Sequence, residues 1–206
     1  MSPSAAAPSA STRRLTVERE HELYETTLDM LREVGYDALT MDAIAARTHS
    51  SKATLYRQWG GKAQLVVAAI HSTKAHHGHK PDDTGSLRGD LGALADRLGS
   101  TSDRDTTMMS ALGHAIHTNP DLKQAFHQVV IQPERENLKA VLQRAIDRGE
   151  IDADCPGNEF LFHMLVGAVI GQSLVDRCRV DAEYLKRYRD AVILPALNAS
   201  LIPSPA

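Results

Sequence analysis

Aromatic side chains make up only 4% of this 206-residue chain, with a single tryptophan, Trp59. Strands rely on aromatic and β-branched cross-strand pairs, so this scarcity, with frequent Ala and Leu, favours helices. Cysteine is nearly absent. Cys155 and Cys178 form neither a CxxC nor a metal-finger spacing, which fits a reduced, cytosolic protein and leaves a redox pair between them open. Long apolar runs are missing too. The most apolar stretch, Met164 to Gly171, falls well short of the about 18 residues a membrane span needs, so no membrane partner is expected. The first twelve residues are mainly Ala, Pro and Ser, without the apolar core of a signal peptide, and a cytoplasmic location is expected. The chain lacks GxSxG, HExxH, a P-loop, GxGxxG and paired Glu-x-x-His ligands. No nucleophile and base can be nominated, so the expectation is no enzyme, no cofactor and no metal. The last absence is local: from Ala43 to Pro81 there is no Asp or Glu, while Arg47, Lys52, Arg57, Lys62, Lys74 and Lys80 all lie inside. A chain of formal net charge −3 thus carries a cation-only run that its total conceals.

What is present reads as helix throughout, without period-2 strands or internal repeats. A hydrophobic content of 42% supports a real core. Residues 1–14 read as a disordered tail. Helix 1 is expected from about Thr16 to Val34, where Leu23, Tyr24, Leu28, Leu31 and Val34 form an apolar stripe and Gly35 supplies a left-handed stop. Thr40 caps a short helix to about Thr48, and Ser51 caps another over Lys52–Trp59. Gly60-Gly61 breaks the chain before a helix from Lys62 to about His76. Further helices are expected at about 87–99, 104–117, 121–148, 158–177 and 182–200, with a kink at Pro133 and a kink or an end at Pro195. The expectation is an all-α protein: an N-terminal three-helix helix-turn-helix head at 15–62, a connecting helix and hinge at 63–80, and a helical regulatory and dimerisation domain at 81–203.

The two short helices and their turn describe a unit that docks in a DNA major groove. On the second, Leu55 and Trp59 share the inward face, and Lys52, Ala53, Tyr56 and Arg57 the opposite one, with Thr54 at its edge. Small side chains at Ala53 and Thr54 permit close approach to base edges. Thr54 can bond a base or touch a thymine methyl, Lys52 and Arg57 can bond phosphate or guanine, and Tyr56 phosphate. The helix starts at Thr40 and Ser51 offer backbone N–H groups to phosphates, Lys62 suits a phosphate clamp, and Ser50 can meet a phosphate. Arg13 and Arg14, ahead of helix 1, suit a minor-groove arm. Trp59 is read as core rather than a base stacker. His71, His76, His77 and His79 are read as a solvated segment rather than a metal site.

Three blocks, LYETTLDMLREVGYDALTMDAIAAR, SKATLYRQW and KAQL, spread over residues 23–70, resemble the N-terminal domain of TetR-family transcriptional regulators. The resemblance implies DNA contacts from Thr40, Ser51, Lys52, Ala53, Thr54, Tyr56, Arg57 and Lys62. Three positions depart from the pattern: His49 stands for the turn glycine, Ser50 for the apolar residue after it, and Gly61 for the serine usually found before the lysine. Farther on, RENLKAVLQRAIDRGEID resembles a widespread C-terminal type of this family. Its members are ligand-responsive homodimers whose last two helices form a four-helix bundle with the partner's pair.

The residues themselves add to this. The stretch 158–177 is apolar nearly all round, and a helix without a polar face is buried on both sides, most simply against a second subunit. Leu165, Val166, Val169, Ile170, Val192 and Leu197 are the interface candidates in a C2 homodimer, and two heads then require an inverted-repeat operator in double-stranded DNA. Met108, Leu112, Ile116, Phe126, Val130, Phe162 and Met164, with His117, His127, His163 and Gln172 as polar neighbours, are the candidates for the pocket of a largely apolar small-molecule effector, although ordinary core packing explains each of them as well. The function expected is a repressor released by that effector. An architectural DNA-binding protein without effector shares the same head.

Overall fold

The computed structural model describes residues 16–75, 81–99, 112–172, 175 and 180–198. Among them there are helices and turns and no strand. Arg13, Arg14, Met108, His76, His77, His79 and Cys178 lie outside the described residues.

Helix α1 spans Val17–Ala38 and is capped by the Thr16 hydroxyl, which accepts from the Arg19 N–H at 3.3 Å. Its last turn is set off by a break at Gly35, where φ 75° and ψ 172° are open only to glycine at low cost. The helix therefore stops being straight where expected, but three more residues rewind beyond the break. Helices α2 (Met41–Arg47), α3 (Lys52–Trp59) and α4 (Lys62–Ala75) follow. Helix α5 covers Leu87–Gly99, and α6 is the described helical stretch 112–118. Asn119 caps α7 (Pro120–Phe126) by accepting from the Leu122 N–H at 2.9 Å.

Both expected proline distortions take one form. After α7 the ladder widens into a π turn at His127–Ile131 before α8 (Gln132–Asp147), and the Gln132 N–H reaches back to the His127 carbonyl. Pro133 has no N–H, and its ring clashes with the carbonyl four residues back. A wider turn accommodates both defects without ending the helix. Near the C-terminus α10 (Ala182–Tyr188) passes through a π turn at Arg189–Ile193 into α11 (Leu194–Asn198), with the Leu194 N–H on the Arg189 carbonyl and Pro195 next in line. The helix expected from 158 begins instead as a 3-10 turn at Pro156–Phe160, and α9 proper is Leu161–Gly171.

Two principal cores result. In the first, α4 is the centre: Leu65, Val66, Val67, Ala69 and Ile70 are all buried, facing Leu23, Leu28, Leu31, Ile44 and Leu55 of the head on one side. On the other side they face Leu112, Ala115, Leu122, Ala125 and Val130. Helix α4 is thus no loose tether, because one continuous apolar core joins the head to α6, α7 and the π turn. In the second core Leu87, Leu91, Leu138, Val141, Leu142, Leu161, Ile193 and Leu197 bring together α5, α8, α9 and the C-terminal helices.

A buried carboxylate fastens these parts. Asp90, with its side chain fully enclosed, accepts from the Thr84 N–H and hydroxyl at 2.7 Å each, from Arg144 Nη2 at 3.2 Å and from Arg148 Nη2 at 3.4 Å. Burial alone pushes this carboxyl up, yet the hydrogen bonds from Thr84 and Arg144 outweigh it and hold Asp90 below the ordinary value. Both arginines also pair with Asp83, and Arg148 with Glu150, whose other oxygen accepts from the Leu87 N–H at 2.7 Å.

Candidate nucleic-acid interface

The turn between α2 and α3 ends α2 in a Schellman motif: the Ser50 N–H reaches the Ala45 carbonyl at 2.9 Å, and the His49 N–H the Ala46 carbonyl at 3.3 Å. Such a motif needs a left-handed residue at its centre. His49 takes that role at φ 50°, alone among the described non-glycine residues. The same motif ends α8, where Gly149 occupies the centre without the cost a side chain imposes. From Arg19, Nη2 donates to the Thr48 carbonyl at 2.6 Å, pinning the turn to the start of α1.

Helix α3 presents its faces as its spacing requires. Leu55 is fully buried against Ile44, and Trp59 is half-buried with its indole N–H on the Tyr24 hydroxyl at 3.1 Å. Tyr24 in turn donates to Glu20 Oε1 at 2.8 Å. Burial, with the Glu20 carboxylate, pushes the Tyr24 phenol up to about 12. The opposite face exposes Lys52, Ala53, Tyr56 and Arg57, with Thr54 at its margin. The Ser51 oxygen caps the helix by accepting from the Thr54 N–H at 3.1 Å, and the two hydroxyls also share a hydrogen bond of 2.8 Å. Thr40 caps α2 likewise, accepting from the Ala43 N–H at 3.1 Å. The first free N–H groups of both helices sit beside exposed caps, and Ser50 is part-buried between them.

The cations of this surface differ in ways the sequence did not reveal. Arg57 is exposed and makes no ion pair among the described residues. Arg47 forms a two-pronged pair with Glu33 of α1 at 2.6 and 2.7 Å. Lys52 meets the carboxylate of Asp42, in the first turn of α2, at 2.7 Å. Lys62 is half-sequestered: Nζ donates to the Tyr36 carbonyl at 2.8 Å and lies 4.2 Å from the centre of the Tyr36 ring, and burial draws its pKa down. It is less a free clamp than a bolt closing α4 onto the turn after Gly35. Asp42 and Glu33 were not singled out as site residues, because their partners lie ten and fourteen positions away and only the packing of α2 brings them close.

The C-terminal candidates do not gather around one cavity. Leu112 and Val130 are buried in the first core with Ile116 and Phe126 against it, whereas Phe162 and Met164 pack on the second. Helical periodicity identified these side chains as inward-facing, but α6 and α7 turn inward toward α4, while α9 turns toward α5 and α8. His117, His127 and His163 are exposed. Gln172 is buried, and its Oε1 has no hydrogen-bond partner. A shallow surface depression is lined by Leu87, Arg88, Glu150, Asp190, Leu194 and Pro195, none of them a nominated residue. Of the interface candidates, Val166, Ile170 and Val192 are exposed, at 36%, 56% and 39%, and Leu165 and Val169 are partly so. Leu197 is not available: it is fully buried in the second core, since the π turn before Pro195 rotates α11 onto the chain's own interior.

A helical head with a capped, acid-free, outward-facing second helix, set on a larger helical body, defines the class of helix-turn-helix DNA-binding regulators. Residues 23–69 match the family described as bacterial regulatory proteins, tetR family, and residues 81–192 match the tetracyclin repressor-like C-terminal domain. The chain is 35% identical over 182 residues to an uncharacterized HTH-type transcriptional regulator of Mycobacterium tuberculosis, covering 88% of this chain and 89% of that one. It is 32% identical to the DNA-binding transcriptional repressor TetR of Mycobacteroides abscessus, covering 85% and 92% respectively. Among solved structures it resembles GusR of Salmonella enterica, with a TM-score of 0.69 at 16% identity over 92% of this chain and 100% of that one. The chain belongs to the TetR family. It is a transcriptional regulator of the helix-turn-helix type, and such regulators are DNA-binding transcription factors, not enzymes.

Proposed function

We propose that this protein is a cytoplasmic homodimeric repressor that reads an inverted-repeat operator through α3 and leaves it when a small, largely apolar effector binds the C-terminal domain. The observation that carries this reading is the face of α3: Lys52, Ala53, Tyr56 and Arg57 stand outward together, beside two capped helix starts and with no acid on α3 itself. In this arrangement Thr54 and Ala53 approach base edges, Lys52 and Arg57 take phosphates or guanine, Tyr56 and Ser50 meet phosphates, and the helix starts at Thr40 and Ser51 offer backbone N–H groups to the duplex backbone. Residues 15–62 act as the reading head, 63–80 as the connection and 81–203 as the regulatory and pairing part. The repressor reading is supported by the relative of that name in Mycobacteroides abscessus.

Pairing is supported by the exposed apolar edge of α9, where Val166 and Ile170 face outward. Gly167 and Gly171 lie on the same helix, and among the described residues nothing stands within 4 Å of where a side chain would begin. Their smallness serves no contact with the described residues, and it would let a partner helix approach. The effector changes the spacing of the two heads only through unequal affinity for the two arrangements. The continuous core from Leu55 through Val66 to Leu122 and Val130 supplies a rigid route for that change.

Titrating labelled duplex at several salt concentrations tests the assignment of α3. Replacing Arg57 or Tyr56 by Ala removes one phosphate contact, so the plot of log affinity against log salt flattens by about one for Arg57→Ala, and both variants bind more weakly to all sequences. Parental affinity and slope in both variants would remove α3 from the interface.

A further inference from the structure

We infer that Asp42 is a built-in brake on DNA affinity: its carboxylate occupies the Lys52 ammonium in the free protein and must give it up before Lys52 can take a phosphate. The inference rests on the reading of α3 as the DNA-contacting helix and adds a residue that regulates it.

The geometry is specific. Lys52 is the first residue of α3, directly after the Ser51 cap, and Asp42 lies in the first turn of α2 after the Thr40 cap. The ammonium sits 2.7 Å from one carboxylate oxygen and 2.9 Å from the other, so it is centred on the carboxylate. That is how an ammonium also meets two oxygens of a phosphate. Both side chains are half or more exposed, at 52% and 68%, so the pair lies on the surface offered to the duplex rather than inside the head. The hydrogen bond and charge of Asp42 raise the Lys52 pKa, so the lysine stays charged while its charge is answered. Asp42 is also the last acid before the cation-only stretch that ends at Pro81. It therefore stands at the edge of the positive surface, against the cation that opens α3.

Two consequences follow. A duplex that offers only a phosphate must displace the carboxylate, and the exchange of one anion for another returns little. A duplex whose bases also satisfy Thr54 and Arg57 binds despite this exchange. The brake thus lowers binding to all DNA, and it matters most where phosphate attraction is the whole of the affinity.

The test is a double-mutant cycle on the full chain, with Asp42→Asn, Lys52→Ala and the double variant titrated against random-sequence duplex over a salt series. Asn keeps the size of the side chain at an exposed position, and thermal unfolding and circular dichroism verify that each variant is folded. Expected is a roughly 1.5- to fivefold tighter binding of Asp42→Asn, as for the loss of an exposed ion pair, with a salt slope steeper by up to about one. In the Lys52→Ala background the same substitution should change affinity less than half as much. Equal or weaker binding by Asp42→Asn overturns the inference. So does a gain that persists undiminished without Lys52, since Asp42 would then act on the duplex directly. A parent that binds no duplex would instead overturn the DNA-binding reading itself.

Discussion

Thr54 is where sequence reading and cap geometry compete for one hydroxyl. Its N–H is held by the Ser51 oxygen and its Oγ1 lies 2.8 Å from Ser51 Oγ, so the side chain is oriented before any base arrives. Orientation without loss of the methyl group suits a residue that distinguishes thymine by contact. Thr54→Ala keeps the backbone cap and removes hydroxyl and γ-methyl together. It should alter the preferred base at one position per half-site, by about 1–3 kcal/mol of discrimination, as read by competition between single-base operator variants. An unchanged ranking of variants would assign Thr54 to capping alone. At the same scale, the turn at His49 was legible because the family resemblance puts a glycine at that position, and the structure finds His49 left-handed at φ 50°. The partners of Lys52, Arg47 and Lys62 were not legible. Each depends on a carboxylate or carbonyl delivered by a different helix, and distance along the chain says nothing of that.

At the scale of elements, local signals placed α2, α3 and α5 well, because caps at Thr40 and Ser51, Gly60 at φ 82° and the apolar stripes act within a turn or two. Where the outcome differs, long-range packing decided it. Pro133 and Pro195 marked the distorted positions, and at each the distortion is a π turn through which the helix continues, since α8 and α11 remain anchored in the second core on the far side of each proline. The network around Asp90 is the clearest case of an element-level structure invisible in sequence. Arg144, in the last turn of α8, and Arg148, its C-cap, lie one turn apart and reach a carboxylate on α5 more than fifty residues earlier. Its folded pKa is depressed, so the stability it contributes is present above the unfolded carboxylate value of about 3.9 and is lost as pH falls below that value toward the folded one. Asp90→Asn should lower unfolding free energy at neutral pH by on the order of 2–4 kcal/mol, because two arginines lose a buried partner. It should also flatten the decline of stability below pH 4. Denaturant titrations at pH 7 and pH 3.5 measure both. A variant as stable as the parent at neutral pH would show that the network contributes nothing net.

For the whole molecule, the two cores decide which elements are packed together as one body. The first core is continuous from Ile44 and Leu55 through α4 to Leu122 and Val130, so the described part of the connecting helix is packed against both the head and the body. The second core holds α9 with an apolar edge left outward, and in the proposed dimer pairing through that edge would set the distance between the two heads. Val166→Glu places a charge where two such edges would meet and should yield monomers in sedimentation, with operator affinity reduced by a factor of a hundred or more as bivalent contact is lost. A dimeric mass for this variant would move the interface elsewhere. The sequence indicated an all-round apolar helix here. It did not indicate that Leu197 is withdrawn into the interior, because the rotation of α11 is set by the π turn and not by its own periodicity.

The most direct measurement is selection of bound sites from a pool of random duplexes by the full-length protein at moderate ionic strength, followed by affinity comparison of the recovered sites with competitor DNA. A symmetric inverted repeat, bound at least a thousandfold more tightly than competitor and lost to Ala substitutions along the exposed face of α3, is the result expected. Recovery of no enriched motif, or equal affinity for enriched and random duplexes, would contradict it.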